Sequence, residues 1–430
     1  MGSSSSDFRR ASAGRLPGVV IAVSLAVASL LVGGPALAEG KTWVAEFWDA
    51  FSGGTATLNM RGRIEIADTD TREHSEAYTV RTRLGYGTKP FYGFSVYADF
   101  ENVAAIKKER YWNVVDPDNG KTPVPDPTAT ELNQAYLKFS RKDFLGSAAL
   151  VGVQRIKLDD DRFIGNVGWR QNEQTYTGVL AKTSFGIDGL QLLYSYIWQV
   201  NSILATNLNT SSHLVNLSYS SSDVFKISGF GYFLDFNQAP TNSSNSVGIR
   251  VHGDIEIGDD FSLGYQVSEA YQWDGGRDTG TNPVDYSANY FMIDMNFGFR
   301  PVGTLGGGYE NLGSDNGEAR FVTPLATAHK FNGWADVFIR NGPVADPLLG
   351  LKDIYVYVVP KLPWSLEGKL VYHHFKTDKG SITLGNEFDA SLKRPINKHC
   401  DVLAKVAYYN AAGNDAGHVV RGWMQVVLKF

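Results

Sequence analysis

The sequence predicts an all-β protein: a closed antiparallel transmembrane β-barrel of about 18 strands, with short turns at one end and long loops at the other. Three observations carry this. Apolar and polar residues alternate with a period of two, in runs bounded by turn residues, from residue 55 onward. The intervals between those runs are alternately short and long, the pattern of periplasmic turns and outer loops in membrane barrels. The sequence closes inside such a run, Arg421-Gly422-Trp423-Met424-Gln425-Val426-Val427-Leu428-Lys429-Phe430, as expected of a strand that pairs with the first and leaves no edge.

In chain order, Arg9, Arg10 and Arg15 form a basic n-region, Val19 to Val32 an apolar run, and Ala36-Leu37-Ala38 an A-x-A cleavage signal. Residues 1–38 therefore read as a cleaved secretory signal peptide. The run falls short of the roughly 20 residues of a spanning helix, and a cleavage site follows it directly, which weighs against a membrane anchor. Ala11-Ser12-Ala13 after the Arg pair gives no support to twin-arginine export, and Glu39 rather than Cys after the cut gives none to a lipoprotein. Residues 39–54, with Trp43, Phe47, Trp48 and Phe51, read as a short amphipathic or plug-like lead-in with a packing role, followed by the barrel proper over 55–430.

Composition bounds the class. There are 45 Gly, 13% aromatics and a single Cys, Cys400, so no internal disulfide can form. No stretch after residue 38 is apolar enough for a membrane helix, yet barrel strands show lipid only every second residue. Removing residues 1–38 takes three Arg and one Asp from 40 basic and 45 acidic side chains, which leaves 37 against 44 and a net charge of −7. That balance argues against a nucleic-acid partner.

The predicted strands are 55–67, 76–88, 91–103, 130–140, 146–156, 171–184, 189–200, 210–220, 223–234, 245–257, 260–271, 286–300, 303–310, 350–360, 364–376, 384–394, 398–410 and 418–430. Connections after even strands are short (89–90, 221–222, 301–302), and those after odd strands long (104–129, 157–170, 311–349), which places both ends on the periplasmic side. A count of sixteen stays open, because strands 13 and 14 flank the longest loop.

Alternation assigns the faces. Ile64, Ile66, Leu84, Phe94, Val96, Phe100, Met295, Phe297, Ile354, Val356 and Val358 point to lipid. Arg61, Arg63, Glu65, Arg81, Arg83, Asp99, Glu101, Asp294, Arg300, Glu387, Asp389, Lys405, Arg421, Gln425 and Lys429 point inward. A lipid-facing charge at mid-bilayer costs about 2–4 kcal/mol, which constrains the assignment wherever charges alternate. Trp198, Trp273, Trp364 and Trp423 near strand ends fit aromatic girdles.

A barrel of about eighteen strands is too wide for its own side chains to fill, so an aqueous lumen is expected. Closure sets Lys405 and Arg421 beside Arg61, Arg63, Arg81 and Arg83 on one wall. Such a stripe attracts anions, and Arg clamps carboxylates bidentately. Equally, the stripe can neutralise Asp99, Glu101, Glu367, Glu387 and Asp389 across the lumen and brace the wall.

Three stretches resemble the alginate-export family of outer-membrane porins: Val151-Gly152-Val153-Gln154-Arg155-Ile156-Lys157-Leu158-Asp159-Asp160-Asp161-Arg162-Phe163-Ile164-Gly165-Asn166-Val167-Gly168-Trp169-Arg170-Gln171-Asn172, then Thr323-Pro324-Leu325-Ala326-Thr327-Ala328-His329-Lys330-Phe331-Asn332-Gly333-Trp334-Ala335-Asp336, and Leu384-Gly385-Asn386-Glu387-Phe388-Asp389-Ala390-Ser391-Leu392. The resemblance implies an eighteen-stranded barrel with an arginine-rich pore that passes an anionic polyuronate. It also implies that Arg155, Arg162 and Arg170 sit at a folded-in loop constriction, with Asp159, Asp160 and Asp161 as their partners. The terminal Phe430 is similar to the assembly signal of Gram-negative outer-membrane barrels, so the expected partners are outer-membrane lipid, the barrel-assembly machinery and an anionic small-molecule or polysaccharide solute.

Enzymatic chemistry finds little support. There is no G-x-S-x-G elbow, no H-E-x-x-H and no phosphate-binding glycine loop. His373 and His374 are adjacent on a strand and face opposite ways. Asp116-Pro117-Asp118-Asn119-Gly120 departs from the calcium-loop pattern and reads as a solvated turn, and Asp159 to Asp161 read as salt-bridge partners rather than metal ligands. No cofactor is expected. The sequence thus favours a passive channel for an anionic saccharide or organic acid, narrowed by loop 157–170. A general diffusion porin is the alternative. A barrel enzyme would need a Ser–His pair, and neither His213 nor His252 has an evident nucleophile beside it; a structural adhesin would plug its pore.

Overall fold

The computed structural model describes residues 42–275, 285–339, 348–413 and 417–430, so the expected leader lies outside the described residues. After the helix α1 (Trp43–Ser52), eighteen strands build one antiparallel sheet: β1 (Thr55–Thr69), β2 (Arg72–Gly87), β3 (Phe94–Ile106), β4 (Ala129–Arg141), β5 (Ser147–Gln154), β6 (Thr175–Thr183), β7 (Leu190–Asn201), β8 (Asn207–Ser220), β9 (Lys226–Leu234), β10 (Ser244–Ile257), β11 (Phe261–Asp274), β12 (Ser287–Phe299), β13 (Gly303–Leu312), β14 (Leu351–Pro360), β15 (Glu367–Lys376), β16 (Thr383–Asn397), β17 (Cys400–Ala411) and β18 (His418–Lys429).

Each strand pairs with its sequence neighbours, and β1 pairs with β18 in the register Asn59↔Lys429 to Thr69↔Val419. Backbone bonds between Leu58 and Phe430, at 2.9 and 2.8 Å, finish the seam. The sheet is therefore a closed eighteen-stranded barrel, and the sixteen-strand alternative falls because β13 pairs with β14 from Gly303↔Pro360 to Leu312↔Leu351.

The faces follow the alternation. Leu84, Val96, Phe100, Met295, Phe297, Ile354, Val356 and Val358 are all exposed on the outer wall, whereas Arg63, Glu65, Arg81, Asp99, Glu101, Glu387, Asp389 and Arg421 are buried inside. A wall with apolar groups outside and charges inside is built for a non-aqueous surrounding.

Four expectations need correction. Residues 171–174 do not begin β6 but close an inward-folded loop, because the Gln171 N–H and the Asn172 and Gln174 side chains bond to loop atoms rather than to a ladder. Trp423 is no girdle residue: it shares the parity of Arg421 and Gln425, faces the lumen and is 2% exposed. Arg300 lies just past β12 in the turn, where it reaches Glu256 at 2.6 Å and Asp259 at the rim. Trp364 also sits in a turn, before β15 begins, and is exposed.

Candidate functional site

Among the described residues, three loop segments fold into the barrel, where the sequence pointed to one. Loop 155–174 turns back on itself through Leu158 N–H to Ile164 O at 3.0 Å and Asp161 N–H to Leu158 O at 3.0 Å. It then docks on segment 313–339 through Gly165 N–H to Leu325 O at 2.9 Å and Thr327 N–H to Asp161 O at 3.0 Å. Gly165 is required here, since a Cβ would come within 2.2 Å of Thr327 Oγ1. Loop 107–128 joins from the other side, where Asp126 accepts the Gln171 N–H at 2.8 Å and Pro127 O the Asn172 amide at 2.9 Å. Phe163 packs among Phe230, Tyr290 and Phe321, with ring centroids 4.8, 5.2 and 5.9 Å away. The lumen thus has an apolar core made by loops, beyond what wall side chains can fill.

The basic stripe holds these loops to the wall. Arg170 reaches Glu65 at 3.0 Å, Asp336 at 2.7 Å and Asp126 at 3.9 Å. Arg421 reaches Glu65 at 3.2 Å and donates to Ala335 O at 2.8 Å and Pro123 O at 3.1 Å. Arg63 lies 3.6 Å from Asp126 and donates to Trp169 O at 2.5 Å and Gln425 at 2.7 Å. Three guanidiniums face three carboxylates with no solvent access, so the cluster is balanced in charge and demands its full set of partners.

The other predicted residues separate into two groups. Arg162 is buried against Glu310 at 2.5 Å. Arg155 binds Glu173 through both ends of its fork, and Arg83 binds Glu101 and Glu173. Arg61 caps three loop carbonyls, Gly168, Trp169 and Arg170, at 2.9–3.0 Å. Arg81 donates to Asn59 at 2.5 Å. Neither Arg61 nor Arg81 has a carboxylate partner among the described residues, and Arg61 Nε, Arg81 Nε and Arg81 Nη1 are buried without an acceptor.

The expected pairing of Arg155, Arg162 and Arg170 with Asp159 to Asp161 is not what forms. Asp159 accepts from Asn216 at 3.0 Å and Ser228 at 2.7 Å, Asp160 pairs with Arg250 at 3.1 Å, and Asp161 lies between Lys157, at 3.3 Å, and Lys330. The loop turns between these residues, with Asp159 and Asp161 both at positive φ, so its two arms address different walls. Of the acids expected to neutralise the stripe, Glu101 does so through Arg83. Glu387 and Asp389 instead accept the backbone N–H groups of Ala335 and Trp334, at 2.6 and 3.2 Å.

Lys405 occupies a cage. Its ammonium lies 3.6 Å from the ring centroid of Trp334, 4.4 Å from Trp169 and 5.5 Å from Trp423. It donates to His329 Nε2 at 2.7 Å, so His329 carries its proton on Nδ1 and gives it to Asp336 at 2.8 Å. Burial pushes the His329 imidazole down to about 3. Burial opposes the Asp336 charge, but the His329 N–H, Arg170 and Arg421 outweigh it and hold that carboxyl below the usual range.

The cations that meet solvent are others. Arg155 is 35% exposed, Lys157 49% and Lys330 48%. Lys157 and Lys330 were not singled out in sequence; the period-two signal stops at the strand ends. The buried partners Asp126 and Asp336 were missed for the same reason; Glu310, within β13, and Glu173, within the predicted strand 171–184, are paired by loop contacts that alternation does not show.

No protein-family model matches this chain, and no curated protein does. Among solved structures, Pseudomonas aeruginosa OpdL is similar at a TM-score of 0.65 and 15% identity, over 88% of this chain and 99% of that one. Acinetobacter baumannii OccAB3 is similar at 0.68 and 13%, over 88% of this chain and 100% of its own. Pseudomonas aeruginosa OpdK, in a crystal structure with vanillate, is similar at 0.64 and 13%, over 87% of this chain and 99% of that one. At such identities the likeness concerns architecture: these are barrels of one fold.

Proposed function

We propose that this protein is an outer-membrane channel that passively conducts small anionic solutes, organic acids foremost, past the inward-folded loops. The observation that carries the reading is a set of inward cations that either lack a paired carboxylate or keep solvent exposure. Arg61 and Arg81, in register with each other, have no carboxylate partner among the described residues, and Arg155, Lys157 and Lys330 add solvent-facing cations. In a low-dielectric cylinder such charge draws anions in and repels cations. The fold likeness supports transport, and the vanillate of the OpdK structure is a small carboxylate of the class proposed.

A second reading, export of a polyuronate, has its own support. The three stretches that resemble alginate-export porins are far apart in sequence, yet they meet in one cluster. Ile164 bridges to Leu325, and Ala335 N–H bonds to Glu387. Conserving that cluster would preserve a constriction rather than a cargo, and a lumen filled by three loops suits a small solute better than a chain.

The reversal potential of the reconstituted protein under a low-salt gradient tests the proposal. We expect anion preference that falls several-fold in an Arg155→Gln/Lys157→Gln/Lys330→Gln variant. Cation preference, or an unchanged ratio in the variant, rejects it; weak selectivity throughout favours a general diffusion porin.

A further inference from the structure

The function proposed above makes no use of α1. The helix starts at Thr42, whose side chain accepts the Ala45 N–H at 3.3 Å. It lies outside the barrel rather than in it. Lys89 N–H donates to Ala50 O at 3.0 Å, Tyr92 to Glu46 at 2.9 Å, and Tyr86, on the outer wall, to Phe51 O. Phe47 packs edge-on to Phe91, with centroids 5.7 Å apart. Three hydrogen bonds and an aromatic contact thus fix α1 against the short β2–β3 turn.

What the helix does not bury is its most apolar side. Trp43, Val44, Phe47, Trp48 and Phe51 are 41–61% exposed, although two of them are Trp. At 100° per residue they span an arc of about 140°, while Glu46, Asp49 and Ser52 occupy the remainder. Water around such a face is costly. The face does not end at the helix: the neighbouring short turns also carry exposed apolar groups, Phe144, Leu145, Phe185 and Ile187. These mark the level at which the apolar outer wall ends, and α1 lies at that level.

We infer that α1 is a monotopic foot, embedded in the interfacial layer of the periplasmic leaflet, with a phospholipid surface as its partner. The inference rests on the membrane reading of the barrel. The charge of the helix narrows the chemistry. The segment Trp43–Ser52 has two acids and no Lys or Arg, so insertion is driven by the aromatic side chains and needs no anionic lipid.

The test uses the full chain refolded into phosphatidylcholine liposomes carrying bromine on the upper acyl chain. The emission lost on going from wild type to Trp43→Phe/Trp48→Phe isolates the two α1 indoles. We expect bromolipid to quench most of that difference emission, iodide to leave it nearly unchanged, and added phosphatidylglycerol to alter neither result. Quenching by iodide instead of lipid overturns the inference. So does shielding from both, which a second copy or a protein partner on this face would cause, and so does a requirement for anionic lipid. The membrane reading is checked separately: in the same variant, Trp198, exposed on the outer wall, must remain lipid-quenched.

Discussion

Arg170 shows how one residue type takes opposite roles here. Its guanidinium is 3% exposed and bound by Glu65 and Asp336, so a solute cannot reach it, whereas Arg155 is 35% exposed. Removing one member of a buried ionic cluster leaves an uncompensated charge and costs about 3–5 kcal/mol; Arg155 shares its buried partner Glu173 with Arg83, so its loss leaves that carboxylate paired. Arg170→Gln and Glu65→Gln should therefore strongly loosen loop 155–174, read as faster hydrogen exchange at residues 158–172. Arg155→Gln should change permeation and speed exchange less than the other two, because Arg83 still holds Glu173. Equal exchange in all three proteins would contradict the division of roles. His329 adds a pH dependence of defined sign. Its folded value, about 3, lies below the unfolded value of about 6.5, so the unfolded state binds the extra proton. The stabilisation is full above the unfolded value and is lost as pH falls from about 6.5 toward 3. Single-channel records should become noisier across that window as segment 321–339 works loose. His329→Gln, which cannot take up the proton, should be flat there; identical titrations for the two proteins would remove His329 from the effect.

The strands were legible because a half-exposed strand repeats every two residues, and a lipid-facing charge is penalised at each repeat. Each of the eighteen runs read from alternation corresponds to an observed strand, with ends displaced where loops bond to strand termini, as at residues 171–174. The inner loops were legible only as segments. Arg170 and Glu65 are 105 positions apart, and nothing periodic links them. Trp423 had the right parity for the lumen but was assigned to a girdle on residue type, which shows that position along the pleat outweighs aromatic preference. The contacts between loops and wall make glycine the sensitive element. A Cβ at Gly333, where φ is +84°, would meet Glu387 Oε2 at 2.3 Å, and one at Gly165 would meet Thr327 Oγ1 at 2.2 Å. Gly165→Ala and Gly333→Ala should lift the loops from their seats and raise unit conductance while the barrel stays folded. Unchanged conductance in both variants would mean that the loops do not set the bore.

The whole molecule is a closed cylinder whose charge lies inside and whose apolar groups lie outside, with two inward guanidiniums, Arg61 and Arg81, that have no carboxylate partner among the described residues. The mature chain as predicted is net negative, at −7, so any anion preference must come from placement and not from total charge. That difference makes ionic strength diagnostic. The Debye length falls from about 10 Å at 0.1 M salt to about 3 Å at 1 M. Arg155, Lys157 and Lys330 face solvent and will be screened over that range, whereas Arg81 is buried and Arg61 half-buried, and both will be screened less. The anion-to-cation permeability ratio should fall with salt but level off above unity, and the triple variant at the exposed positions should show only the salt-insensitive remainder. Solute length gives the second axis. Benzoate-sized carboxylates should pass, while polyuronate oligomers long enough to touch several exposed cations at once should enter from the outer side and interrupt the current, with dwell times that shorten as salt rises. A ratio that decays to unity would assign all selectivity to the exposed residues. Free passage of long oligomers would mean that the three inner loops move aside, and would return the polyuronate reading to first place.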